Sequence, residues 1–132
     1  MANQDKIKIL ILDDEPIVTK RLKSSLEKIG YEVETFNRSI DALERCRKHR
    51  FDIVITDLKM EGIDGIEFLT EVKELYPDTE VIVITGFATM DTAKESFKRG
   101  VLDFLAKPFR ISELKEVLHK ATEKIKAKKQ GK

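Results

Sequence analysis

The chain has 132 residues, 41% hydrophobic and 37% charged, and its 25 basic and 24 acidic side chains leave a net charge of +1. With charges this balanced, the domain as a whole has no strong electrostatic field that would attract nucleic acid or a membrane surface. No apolar run approaches the length of a membrane span or of a signal peptide. The single cysteine, Cys46, excludes a disulfide framework and a thiolate metal site, and its helical position suits a small core residue. We expect one cytoplasmic domain over residues 1–132, with a core at about 6–123 and a basic tail at 124–132 that frays.

Apolar, β-branched runs alternate five times with amphipathic segments along the chain. The predicted strands are residues 7–12, 33–36, 53–55, 81–84 and 101–106. Uninterrupted apolar runs of this length are typical of strands that are buried on both faces. Regular strand–helix alternation with short connections therefore predicts an α/β fold, with a parallel sheet covered by helices on both sides.

Helical spacing and helix end signals place five helices between and after these strands. Pro16 suits the first turn of the first helix, and Gly30 suits its end. The second helix is capped by Asn37 or Ser39, and the fourth is capped by Thr89 or Asp91, which are the residue types that accept from free backbone N–H groups. The first helix is predicted over residues 16–29 and the third over 65–76. The second runs from its cap to about His49, the fourth runs from its cap to Arg99, and the last begins at Ser112.

Polar side chains follow four of the predicted strands. Asp13 and Asp14 follow the first strand, Asp57 the third, Thr85 the fourth and Lys107 the fifth. Because parallel strands share one carboxyl edge, these side chains should converge there. Taken alone, Asp57 equally suits the opening of a turn, which is the commonest role of aspartate after a strand. Clustered carboxylates repel one another, and a hard cation such as Mg²⁺ relieves that repulsion. With a lysine and a hydroxyl nearby, this set suits a phosphoryl group carried by a carboxylate.

The segments that hold these residues resemble the receiver domain of two-component response regulators, and the match covers nearly the whole chain. The matching segments are LILDDEP at 10–16, VITDLKMEGIDG at 54–65, VIVITGFA at 81–88 and DFLAKPF at 103–109. Four such segments in this order and spacing are highly specific. The resemblance implies a flavodoxin-like, doubly wound five-stranded parallel sheet in the order 2-1-3-4-5, with five helices.

The resemblance also implies a nucleophile and a metal site. Asp57 would accept a phosphoryl group from a histidine kinase or a phosphotransfer protein. Asp14, Asp57 and the backbone carbonyl of Lys59 would bind Mg²⁺ directly. Asp13 would be the outer acidic partner of the ion, either in direct contact or through water.

The same resemblance implies a route from the site to an output surface. Thr85 and Lys107 would contact the phosphoryl oxygens, and a cis bond is implied between Lys107 and Pro108. Thr85 and Phe104 would form the switch, in which the hydroxyl moves toward the phosphate while the aromatic ring turns inward. Many relatives have tyrosine at Phe104, so a switch here depends on packing alone, and a plain core role is an equal alternative. The face of helix 4, strand 5 and helix 5 would contact a downstream effector or a second copy of the chain.

Two positions depart from the pattern or modify it. Glu61 stands where relatives commonly carry proline, and it adds a negative charge near the site. Lys59 and Phe87 lie two residues past Asp57 and Thr85, at positions that flank the approach of water in the family. We expect the bulky Phe87 side chain to slow hydrolysis of the phosphorylated aspartate.

Two other functions compete with a signalling switch. An aspartate-nucleophile phosphatase needs an Asp-x-Asp motif after a strand, and Leu58 and Lys59 follow Asp57 instead. A phosphorylation-independent interaction module does not need the complete set of matching site residues. No effector domain follows the fifth helix, so the chain is either a stand-alone regulator or a receiver excised from a longer protein. The segments TGFAT at 85–89 and KPF at 107–109 resemble receivers that precede transcription-activating domains, which favours the second alternative.

Overall fold

A computed structural model of the chain describes residues 6–59 and 64–130. Strands and helices alternate in it as the sequence predicts. The strands are β1 (Lys8–Leu12), β2 (Glu32–Phe36), β3 (Ile53–Thr56), β4 (Glu80–Thr85) and β5 (Asp103–Ala106). The helices are α1 (Pro16–Lys28), α2 (Ser39–Lys48), α3 (Gly65–Leu75), α4 (Met90–Lys98) and α5 (Ile111–Gln130). None of the helices in the described residues combines the length and the apolarity that crossing a membrane requires.

All five strands are parallel and lie in the order β2-β1-β3-β4-β5, which confirms the predicted topology. Leu12, the last residue of β1, pairs with Thr56, the last residue of β3. Asp13 and Asp57 therefore leave neighbouring strands side by side. The order of the strands thus brings two carboxylates that are far apart in sequence to one point on the carboxyl edge of the sheet.

The sheet is covered on both faces, and alternate strand residues belong to two separate core clusters. Ile9 and Ile11 of β1 pack with apolar residues of α1 and α5, whereas Leu10 and Leu12 pack with those of α2 and α3. Burial on both faces explains why the strand sequences are apolar without alternation. Cys46 of α2 belongs to the second cluster, and burial raises the pKa of its thiol to about 12, so the predicted core role is confirmed.

Four apolar residues that the helical spacing places on core-facing sides are exposed. They are Ile17, Ile29, Ile40 and Leu75. In α1 the buried residues are instead Thr19, Leu22 and Leu26. At about 100° per residue, Ile17 lies about 140° around the helix from Leu22, whereas Thr19 lies only about 60° from it. Thr19 is accommodated because its hydroxyl donates to the Pro16 carbonyl at 3.0 Å.

The ends of the helices agree with the sequence in part. Gly30 follows the end of α1 with φ 103°, the left-handed conformation expected for a glycine there. Thr89 caps α4 as one of the two predicted alternatives. Both predicted caps of α2 are wrong, because the cap is Arg38, which uses no side-chain hydrogen bond. Asn37 instead donates its amide to the carbonyl of Asp13 at 2.8 Å, which ties the start of α2 to the end of β1.

Helix α5 continues to Gln130, beyond Lys124, where the sequence predicts fraying. Ile125 is buried in the first core cluster, so the helix has an apolar contact past that point. Lys124 and Lys128 lie 3.6 and 3.5 Å from the carboxylate oxygens of Glu80, whose side chain is only 4% exposed. A buried carboxylate at the start of β4 thus gives the basic end of α5 a partner.

Candidate functional site

Four of the five side chains that the sequence places at the carboxyl ends of the strands converge in the structure, and they are those of Asp13, Asp14, Asp57 and Lys107. The backbone N–H of Asp57 donates to the Leu12 carbonyl at 3.0 Å, which continues the pairing of β1 with β3 by one step. The N–H of Lys107 donates to the Thr85 carbonyl at 2.8 Å in the same way, at the ends of β4 and β5. Backbone hydrogen bonds therefore hold these site residues at the edge of the sheet.

Three carboxylates form the acidic part of the site. Asp13, Asp14 and Asp57 each offer one oxygen, and these oxygens lie within 4.8 Å of one another. Asp13 is fully buried and Asp57 is 5% exposed, whereas Asp14 is exposed to solvent. Buried carboxylates need compensating positive charge or hydrogen bonds. An oxygen-only donor set that is open to water on one side fits Mg²⁺, which keeps several water ligands when it binds to proteins.

Lys107 supplies compensating charge to this cluster. Its Nζ donates to Asp13 Oδ2 at 2.5 Å and to Asp57 Oδ2 at 2.9 Å. Burial of the ammonium acts to lower the pKa of Lys107, but its interactions with the two carboxylates together act more strongly, and this pKa lies above its ordinary value. Lys107 is therefore a fixed positive charge at neutral pH, placed against one oxygen of Asp13 and one of Asp57.

Both oxygens of the Asp13 carboxylate have hydrogen-bond partners. Burial raises the pKa of Asp13, and hydrogen bonds from Lys107 and from the backbone N–H of Glu15 offset part of that rise. The Glu15 N–H donates to Asp13 Oδ1 at 2.9 Å. The Asp13 side chain thus has one oxygen on Lys107 and the other on the start of α1. The carbonyl of Asp13 accepts from Asn37, which the sequence analysis considered only as a helix cap.

Glu15 is a site residue that the sequence analysis did not single out. Its Oε1 lies 3.3 Å from Lys107 Nζ, and its side chain is 60% exposed. The available signal was its place in the run Asp13-Asp14-Glu15 directly after a buried strand. That signal is ambiguous, because an acidic residue at this point equally suits the positive end of the following helix.

Thr85 is joined to the segment that carries Asp57 through the residues that follow it. The Thr85 side chain is fully buried, and its Oγ1 accepts from the Phe87 N–H at 3.0 Å. The Phe87 side chain is 53% exposed, and Lys59 Nζ lies 4.3 Å from the centre of its ring. The N–H of Lys59 in turn lies 3.3 Å from Asp57 Oδ1. The contact between Lys59 and Phe87 therefore joins the two segments that carry Asp57 and Thr85.

The remaining implied features have different outcomes. The peptide bond between Lys107 and Pro108 is cis, as the resemblance implies. Phe104 pairs with Val83 in the sheet and is a half-buried residue packed against the second core cluster. The expectation for Glu61 concerns residues 60–63, which lie outside the described part of the chain.

Comparison with known proteins gives a consistent family likeness. Residues 9–119 match the family model "Response regulator receiver domain". The chain is 38% identical over 117 residues to "Transcriptional regulatory protein ZraR" of Escherichia coli K12, which covers 89% of this chain and 26% of that protein. It is 35% identical over 113 residues to "Sporulation initiation phosphotransferase F" of Bacillus subtilis, covering 86% of this chain and 91% of that protein. The chain thus spans about a quarter of the length of the ZraR proteins and nearly all of the second relative.

The fold agrees with solved structures of the same kind. The crystal structure of a response regulator receiver domain protein from Clostridium thermocellum has a TM-score of 0.85 and 34% sequence identity. The superposition covers 91% of this chain and 97% of the other. Likeness over almost the full length of both chains means that the sheet order and the helix positions are shared.

Proposed function

The chain belongs to the response regulator receiver domain family, and on that premise we propose that it is a phosphoacceptor switch whose acceptor is Asp57. As a receiver domain of two-component response regulators it is a signalling domain and not a classical enzyme. The observation that carries the proposal is the contact of Lys107 Nζ with the Asp57 and Asp13 carboxylates. These two carboxylates, together with that of Asp14, form a group that fits a metal ion. This arrangement supplies a nucleophile and positive charge at one point.

The proposed transfer is a displacement at phosphorus. A carboxylate oxygen of Asp57 attacks the phosphorus of a phosphohistidine, the P–N bond breaks, and the imidazole leaves with the electron pair of that bond. Catalysis of such a step depends mostly on positioning and on neutralising the charge of the phosphoryl oxygens. Lys107 neutralises one of these oxygens, and the Thr85 hydroxyl, which accepts from Phe87 and keeps its own proton, donates to another.

A metal ion completes the charge balance in this proposal. The Asp14 and Asp57 carboxylates and the Lys59 carbonyl would hold Mg²⁺, with Asp13 as the further acidic partner, directly or through water. When bound, the ion supplies charge that offsets the carboxylates and the incoming phosphoryl oxygens. Asp14 is the exposed member of the set, so it leaves the ion open to water and to the phosphoryl group.

Acetyl phosphate provides the direct test of this function, since a small phosphodonor needs no partner protein. With Mg²⁺, intact-mass spectrometry should show the gain of one phosphoryl group. Chelation of the metal should slow the gain by about a hundredfold or more, because metal charge stabilisation is worth several kcal/mol. No gain with or without metal would favour the phosphorylation-independent module. Steady turnover of a generic phosphate ester would favour the aspartate-nucleophile phosphatase.

Phe87 is proposed to limit the access of water to the phosphorylated site. Its ring lies against Lys59, which follows Asp57 closely, so removing the ring opens that side. Phe87→Ala should therefore shorten the lifetime of the phosphorylated chain several-fold, measured by mass spectrometry after the phosphodonor is removed. Ile29→Ala is the matched control, because Ile29 is a similarly exposed apolar residue that follows the end of α1. Equal lifetimes for Phe87→Ala and the unchanged chain would contradict this role.

The proposed partners follow from family membership. A histidine kinase or a phosphotransfer protein donates the phosphoryl group. A downstream effector domain or protein receives the signal. The proposed compartment is the cytoplasm, and the proposed process is the regulation of transcription. We place the output, and a homodimer contact, on the face of α4, β5 and α5, with Thr85 and Phe104 as the switch. This assignment is supported by two exposed apolar side chains on α4, those of Met90 and Phe97, which are 74% and 49% exposed. We propose no direct contact of this domain with nucleic acid or with a membrane.

A further inference from the structure

Lys107 carries one more carboxylate contact than its proposed role in phosphoryl binding requires. Its ammonium has three N–H donors, and three carboxylates lie within reach of them: Asp13 at 2.5 Å, Asp57 at 2.9 Å and Glu15 at 3.3 Å. A phosphoryl group on Asp57 would bring further oxygens to this ammonium. One existing contact must then be released to free a donor.

Exposure indicates which contact is released. The side chains of Asp13 and Asp57 are 0% and 7% exposed, whereas that of Glu15 is 60% exposed. A buried carboxylate that loses its ammonium is left without a partner, which is costly. An exposed carboxylate exchanges the same contact for water at little cost. The distance from Lys107 Nζ to Glu15 is also the longest of the three, and the Glu15 side chain makes no capping hydrogen bond to α1.

We propose that Glu15 is a positioning residue, which holds Lys107 in the unphosphorylated state and is exchanged for the phosphoryl group when Asp57 is modified. This inference rests on the proposed function. Glu15 touches neither the phosphorus nor the attacking oxygen, and it acts only through Lys107. Because it competes with the phosphoryl oxygens for one N–H donor, it raises the phosphodonor concentration that uptake needs and shortens the life of the phosphorylated state.

Uptake kinetics at saturating Mg²⁺ measure this competition. Glu15→Gln should lower the half-saturating acetyl phosphate concentration about two- to fivefold, the range expected for an exposed ion pair, with little change in the maximal rate. Glu15→Asp keeps the charge but is one methylene too short for the contact, so it should behave like Glu15→Gln. Glu27→Gln, which removes the same charge from an exposed position near the other end of α1, should behave like the unchanged chain.

A second measurement needs neither phosphodonor nor metal. In urea unfolding, Glu15→Gln should lower the midpoint more in the chain that has Lys107 than in a Lys107→Met background, since only the first contains the pair. Equal lowering in both backgrounds would overturn the inference. A Glu15→Asp variant that matches the unchanged chain would also overturn it, because simple charge repulsion would then explain the kinetics.

The two proposals fail in different ways. Normal uptake by the unchanged chain, combined with no effect of Glu15→Gln, would overturn the role of Glu15 and leave the proposed function standing. Absence of uptake by the unchanged chain would overturn the proposed function, and the role of Glu15 with it.

Discussion

Asp57→Asn should abolish the Mg²⁺-dependent gain of a phosphoryl group from acetyl phosphate. The amide is not a competent nucleophile toward phosphorus, and loss of an essential nucleophile typically lowers rates by at least about a thousandfold. The substitution keeps the size of the side chain and leaves Lys107 hydrogen-bonded to Asp13, so the fold should persist. Intact-mass spectrometry over the time in which the unchanged chain is fully modified gives the result directly.

Asp78→Asn is the matched control for this experiment. Asp78 lies just before β4, at the opposite edge of the sheet, and its side chain is 74% exposed beside Lys128. The Asp78→Asn variant should take up the phosphoryl group on Asp57 as the unchanged chain does. A mass gain that persists in Asp57→Asn would mean that another carboxylate is the acceptor, and peptide mapping would then distinguish Asp13 from Asp14.

Gly65→Ala should lower the free energy of unfolding by about 2–4 kcal/mol, near the upper end for a single added methyl group. Gly65 is the first residue of α3, and its N–H donates to the Leu58 carbonyl at 2.9 Å. A Cβ at this position would lie 2.5 Å from Leu58 Cα and closer still to the Asp57 carbonyl oxygen. Both neighbours are backbone atoms of the segment that carries Asp57, so neither can move aside without distorting the site.

Gly86→Ala provides the comparison, since Gly86 also follows a strand at this edge of the sheet. No heavy atom lies within 4 Å of its virtual Cβ, and its φ is not positive. We expect its free energy of unfolding to stay within about 0.5 kcal/mol of the unchanged chain. Urea unfolding of the two variants measures this difference in stability. A Gly65→Ala variant as stable as Gly86→Ala would contradict the close approach of Gly65 to the backbone of Asp57 and Leu58. Phosphoryl uptake should fall in Gly65→Ala alone.

The sheet and the main site residues were predictable for one physical reason. Strands buried on both faces need unbroken apolar runs, so β1, β3 and β4 stand out from the rest of the chain. Parallel strands share a carboxyl edge, so polar residues that follow different strands must meet. Asp13, Asp57 and Lys107 were therefore identifiable as neighbours from sequence position alone, and the structure places them within hydrogen-bond distance.

Helix faces and helix ends were less predictable, because they depend on what lies opposite. Ile17 and Ile40 recur with other apolar residues at helical spacing, yet both are exposed. Periodicity alone does not distinguish a residue that faces the sheet from one that lies well around the helix from it. Past Lys124, α5 has buried Ile125 and the partner Glu80, a residue more than 40 positions earlier whose proximity no local pattern reveals.

The sequence by itself determined the order of the elements, through local apolar patterns, and the convergence of polar side chains at one edge of the sheet, through the rule that parallel strands end there. The family followed from the resemblance of four segments to known receiver domains. Only the tertiary structure decided which oxygens share the Lys107 ammonium, that Glu15 is among them, and that Asn37 supports Asp13 rather than capping α2. Such contacts join side chains as many as 94 residues apart and depend on reach and burial, which are properties of the folded chain.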